Sequence, residues 1–96
     1  MAVALGAGSV WVANAGDDSV SRVDPRANAS LRSISVGDAP SAIAIGDGAV
    51  WVANAQDATV SRIDPATNRV VATIDVGHRP QGVAVTGDKV WVSVGR

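Results

Sequence analysis

The chain of 96 residues has no cysteine, no phenylalanine and no tyrosine. Without cysteine there is no disulfide framework and no thiolate metal site, while the compartment stays open. The single histidine, His78, excludes a His-rich metal centre within one chain. No apolar run approaches the length of a membrane span, so no membrane segment is expected. A basic excess is also missing: eight Lys and Arg stand against nine Asp and Glu, for a formal net charge of −1. That balance offers nothing to neutralise a phosphate backbone, and nucleic acid is not an expected partner. The chain lacks Gly-x-Ser-x-Gly, a Walker loop and His-Glu-x-x-His. Gly6-x-Gly8 and Gly46-x-Gly48 lack the third glycine and following helix of a dinucleotide fingerprint, and read instead as hairpin turns. No cofactor and no metal are expected.

The apolar residues that are present are mostly Val, Ala and Ile, which suit strands. The only aromatics are Trp11, Trp51 and Trp91, spaced forty residues apart. That spacing marks an internal repeat, which has to be read before local structure. Aligning Val3–Ala42 with Ile43–Gly82 leaves roughly half of the positions identical, turns and charges included. A third copy begins with "TGDKVWVSVGR". The opening "MAVALGAG" lacks a positive n-region and matches the repeat from its second or third residue, so Met1 is expected to be a start placed at the front of a repeat.

Each copy reads as four short strands between turn residues. In the second copy these are Ala42–Ile45, Val50–Asn54, Thr59–Ile63 and Val70–Val76. In "IDPATNRV", Pro65 presets φ for a turn, Asp64 accepts a backbone N–H just ahead, and Asn68 suits a left-handed position. The first copy keeps these three as Asp24, Pro25 and Asn28. "AVWVAN" is apolar on both faces, so this strand is covered on both sides. Four-stranded units of about forty residues, covered face to face by their neighbours, describe the blades of an all-β propeller. The divisions are one repeat domain over 1–96, with a first blade over about 2–40, a second over about 41–80 and an extra two-stranded hairpin over about 81–96.

The residues Trp51, Val52, Asn54, Asp57, Val60, Ile63, Asp64, Val70, Ile74, Val76, Gly77, Pro80, Gly82, Val83 and Ala84 resemble the YVTN-type β-propeller repeat, related to NHL and virginiamycin-B-lyase-like propellers. The resemblance implies the fold, and a parent family often periplasmic or extracellular. It also keeps open an enzyme reading, since lyase-like relatives use a general-base histidine and His78 is available for that role.

Propellers need about four to eight blades. Two blades and a hairpin do not close a ring, so the faces carrying Trp11 and Trp51 are expected to lack a neighbour. Such faces and their unpaired strand edges template association. The expected partner is the chain itself, as a homo-oligomer, with a dimer or trimer bringing four or six complete blades. Val83–Arg96 could pair with Ser19–Val36 of a neighbouring copy and displace that copy's first hairpin, as in domain swapping.

Candidate ligand-binding residues are Asp38, His78, Arg79, Asn14, Asn54 and Asp57. Strand direction puts the loops 14–19, 37–40, 54–59 and 77–80 at one end of the blades, where a small polar or anionic ligand is the expected class. Asn14, Asn54, Asp17 and Asp57 recur in both copies, which favours loop-holding bonds. Asp17-Asp18 lacks the alternating oxygen ligands of a calcium loop. Arg22 and Arg62 are expected on a strand face with packed stems and solvated heads. Asn28-Ala29-Ser30 matches the glycosylation acceptor pattern, a short and common one. The leading function is a non-catalytic, self-assembling structural or binding module. The alternatives are a lyase-like enzyme whose site forms on assembly, and a protein-interaction domain of a secreted or surface protein.

Overall fold

In the computed structural model, residues 2–6, 8–23, 31–87 and 89–94 are described. The Asp24–Asn28 turn and the Asn28-Ala29-Ser30 pattern lie outside them. Ten strands follow in order: β1 (Ala2–Gly6), β2 (Ser9–Asn14), β3 (Ser19–Val23), β4 (Leu31–Ser35), β5 (Pro40–Gly46), β6 (Ala49–Asn54), β7 (Thr59–Asp64), β8 (Arg69–Asp75), β9 (Pro80–Thr86) and β10 (Lys89–Val94). They form two four-stranded antiparallel sheets, β1-β2-β3-β4 and β5-β6-β7-β8, and the two-stranded pair β9-β10. The three sheets are propeller blades, the last one carrying its inner half. β5 lies against both β1 and β9, while β4 and β8 barely touch, so the first strands converge on an axis and the fourth strands splay at the rim.

The turn chemistry explains these boundaries. Asp47 and Gly48 both have positive φ, 52° and 73°, as a two-residue primed hairpin turn requires. After β7, Asp64 Oδ1 accepts the Ala66 N–H at 2.9 Å and Asn68 sits at φ 58°, so the Asp-Pro turn behaves as the sequence indicates. The two inter-blade turns are not congruent, however. Ala39 carries the left-handed conformation in the first and Gly77 in the second.

Alternation along the strands decides what packs on what. The face of the first blade with Trp11, Val20 and Ile34 meets Val50, Val52 and Ile63 of the second blade in one buried cluster. The opposite face of the second blade, with Ala49, Trp51 and Val60, packs on Val83, Val85, Val90 and Val92 of the hairpin. β6 is therefore buried along its whole length, as two-sided coverage predicts. Which faces stay open differs from the expectation. Trp11 and Trp51 are buried, at 0% and 7% exposure, and it is Trp91, at 58%, that lies open. The exposed face at the other end of the chain carries Val3 and Leu5 instead. The reason is direction: each Trp face looks toward the following blade, so only the last copy lacks cover.

Candidate functional site

Strand register places the candidate loops together. Pro40 pairs with Asn54, Asn54 with Thr59, and Thr59 with Asp75, so the turns 37–40, 54–59 and 76–79 occupy one end of the second blade. Asn14 pairs with Ser19 at the same end of the first blade. The glycine hairpins and the Asp-Pro turn occupy the other end.

Asn14 and Asn54 do the same work in the two blades. Each ends the Trp strand and donates through Nδ2 to two hydroxyls on the next strand. Asn14 reaches Ser21 Oγ at 2.8 Å and Ser19 Oγ at 3.4 Å. Asn54 reaches Ser61 Oγ at 2.8 Å and Thr59 Oγ1 at 3.1 Å. Asn54 is fully buried at the junction between the blades, and its Oδ1 has no partner. Asn14 is half-buried and borders an open recess of about 340 Å³ lined by Ala13, Asn14, Ala15, Gly16 and Asp17.

A relay of bonds ties the loops to one another. Asp18 Oδ1 accepts the Ala39 N–H at 2.9 Å, and Asp18 O accepts the Val36 N–H at 3.0 Å. Ala39 O and Asp38 O then accept the N–H groups of Ala55 and Gln56 at 2.9 and 3.2 Å. Asp38 thus contributes its backbone carbonyl, and its side chain faces solvent. Asp57 is exposed and its Oδ2 accepts from Thr59 Oγ1 at 3.4 Å. Gly37 passes so close that a Cβ there would stand 2.5 Å from Asp57 Oδ2 and 2.9 Å from Asn54 Cγ. Asp38, Asn54 and Asp57 are therefore one cluster.

His78 and Arg79 stand apart on the next turn, both exposed. Among the described residues no hydrogen bond or ion pair joins them to the other candidates. Also among the described residues, no group of three or more His, Cys, Asp or Glu is placed to hold a metal ion, and no helix is long and apolar enough to cross a membrane.

A second polar feature, at the opposite end, differs from its expected form. The head of Arg22 is not left to water. It stacks over Trp11 at 4.7 Å from the ring centroid, donates from Nε to Ser9 Oγ at 2.8 Å, and donates from Nη1 to Asn68 Oδ1 at 2.7 Å and to Pro65 O. It fastens the first blade to the Asp-Pro turn of the second. Arg62 stacks over Trp51 at 5.3 Å in the same way, but its buried Nε has no partner. Ala49 stands where the first copy has Ser9, which removes the hydroxyl. The signal in sequence was the joint recurrence of Trp, Arg and Asp-Pro-x-x-Asn, which only the blade-to-blade contact turns into a latch.

Repeated four-stranded sheets fanned about an axis, each with the same Trp–Arg and Asn–Ser pairs, agree with the match of residues 1–95 to the model of the YNCE-like β-propellers. The chain belongs to that family. No curated protein sequence matches this YNCE-like chain. Solved structures do resemble it. Hydrazine synthase of Kuenenia stuttgartiensis superimposes with a TM-score of 0.90 at 23% identity, covering 97% of this chain and 28% of that one. Glutaminyl cyclase of Myxococcus xanthus gives 0.72 at 15% identity, over 96% and 49%. Apo AztD of Citrobacter koseri gives 0.71 at 20% identity, over 90% and 26%. At such identities the likeness concerns the fold. The YNCE-like chain spans less than half the length of each of these proteins.

Proposed function

We propose that this YNCE-like chain is a non-catalytic propeller module that associates with copies of itself and offers its loop end to small polar or anionic ligands. One observation supports the non-catalytic reading above others. The recurring asparagines of the loop end are committed to holding the fold: Asn14 is bonded to Ser19 and Ser21, and the buried Asn54 to Thr59 and Ser61, while Asp18, which has no counterpart in the second copy, braces Ala39. What remains for recognition is the exposed set Asp38, Asp57, His78 and Arg79, of mixed sign and spread over two turns. Self-association is supported by the exposed Trp91 at one end of the blade stack and Val3 and Leu5 at the other.

Shift mapping against small anions and sugars tests the ligand surface. The perturbed residues are expected in 14–19, 37–40, 54–59 and 77–80, and perturbations confined to 64–68 would place the surface at the wrong end. A substrate turnover that disappears in His78→Ala would overturn the non-catalytic reading.

A further inference from the structure

The innermost strands of two successive blades carry the same irregularity at the same place. In β5, Pro40 lies opposite Asn54 and Ala42 opposite Ala53, which leaves Ser41 as the extra residue of a bulge. In β9, Pro80 lies opposite Val94 and Gly82 opposite Ser93, which leaves Gln81. A bulge re-aims one side chain out of the ladder, and bulges recur beside binding sites for that reason. Pro40 and Pro80 are buried and fix each bulge from one side, while Ser41 and Gln81 are exposed. Alternation sets Ser41 above Ile43, on the side that faces the first blade, and Gln81 above Val83, on the side that faces the second. Since β5 lies against both β1 and β9, both side chains stand where the innermost strands converge, at the loop end of the axis. That place is the same however many blades complete the ring. The backbone geometry is kept from copy to copy and the residue on it changes, from serine to glutamine. Neither core packing nor turn geometry demands either side chain.

We propose that Ser41 and Gln81 are recognition residues for a neutral, hydroxyl-rich ligand, a sugar or polyol, seated at the loop end of the axis. This rests on the loop-end reading above and narrows its ligand class. A serine hydroxyl and a glutamine amide each donate and accept, which is what a sugar hydroxyl requires of its neighbours. Neither carries a charge. The exposed charges beside them oppose one another: Asp38 precedes Ser41 on one turn, and Arg79 precedes Gln81 on the next. An anion drawn to Arg79 is repelled by Asp38, and a cation the reverse, whereas a neutral ligand is indifferent to both. The two positions are also held in advance. The turn before Ser41 is pinned by Asp18 Oδ1, which accepts the Ala39 N–H at 2.9 Å, and by Ala39 O, which accepts the Ala55 N–H at 2.9 Å. The turn before Gln81 is pinned by Asp75 Oδ1, which accepts the Gly77 N–H at 2.8 Å. Little backbone ordering is then left to weaken binding.

The test is a titration of the chain with glucose, trehalose and myo-inositol, each separately, and with inorganic phosphate in parallel, read by backbone and side-chain amide shifts. Shifts at Ser41, Ala42, Gln81 and the Gln81 side-chain amide are expected from the neutral probes. Gln81→Ala and Ser41→Ala are each expected to weaken that binding about three- to tenfold, one hydrogen bond's worth. The unfolding midpoint should stay unchanged, because both side chains are exposed. Thr73→Ala, on the rim strand β8, is expected to change neither binding nor midpoint. Neutral probes that shift the loops 37–40 and 77–80 but bind Gln81→Ala and Ser41→Ala as tightly as the parent overturn the role of these two residues and leave the loop-end reading standing. Phosphate shifts in those loops, with none from the neutral probes, overturn the neutral class and leave a loop end that takes anions. No shift from any of the four probes overturns the loop-end reading together with this one.

Discussion

Arg22 stands over Trp11 at 4.7 Å and reaches beyond it to Asn68, forty-six residues away in the next blade, with an Nη1–Oδ1 distance of 2.7 Å. One side chain thus joins the aromatic anchor of one blade to the turn of its neighbour. Arg22→Met keeps the apolar stem and removes the charge-assisted bonds. A loss of about 1–3 kcal/mol is expected in denaturant unfolding. Arg62→Met should cost less, about 1 kcal/mol, because a ring contact is all that its head makes within the described residues. Equal losses would remove the latch from the account.

The three tryptophans should separate by burial. Trp11→Ala and Trp51→Ala each open a gap at a blade junction, and a loss of about 3–5 kcal/mol is expected for each. Trp91→Ala should leave the unfolding of the single chain nearly unchanged and act on association instead. Thermal unfolding at low protein concentration, followed by light scattering at high concentration, separates the two effects.

Gly37 and Gly16 form a matched pair. A methyl group on Gly37 meets Asp57 Oδ2 at 2.5 Å and Asn54 Nδ2 at 2.9 Å, while one on Gly16 meets nothing within 4 Å. Gly37→Ala is expected to destabilise by about 1–3 kcal/mol, and Gly16→Ala to stay near neutral. The chemical shifts of residues 54–57 should move in the first variant alone.

Ala58 adopts φ 55°, a left-handed conformation that an alanine tolerates poorly. Ala58→Gly relieves it and should stabilise by up to about 1 kcal/mol, the relief outweighing glycine's extra chain entropy. A lower midpoint with an unchanged denaturant slope would show that the alanine methyl contributes more by packing than its backbone costs.

The repeat made the blades legible, because Trp, Asn, Arg and Asp-Pro recur at one spacing and each position has a geometric reason. Asn68 at φ 58° and the Asp64–Ala66 bond follow from local chemistry, which sequence carries. The covering of the faces was not legible. Alternation sets Val50 and Trp51 on opposite sides of the sheet, but it does not say which side meets the preceding blade. Sequence alone therefore points to Trp11 and Trp51 as the free faces, whereas Trp91 is the open one. The anchoring of the Arg22 head is likewise absent from local sequence, since its partners Pro65 and Asn68 are brought near only by the packing of two blades. Of the candidate site, the clustering of Asp38, Asn54 and Asp57 followed from strand direction. The isolation of His78 and Arg79 did not, because it depends on how far one turn stands from the next.

The most direct test of the self-associating reading is the mass of the unmodified chain by light scattering over a hundredfold range of concentration. The account predicts two or three times the single-chain mass at the upper end, falling toward the single chain on dilution. A single-chain mass throughout would contradict it.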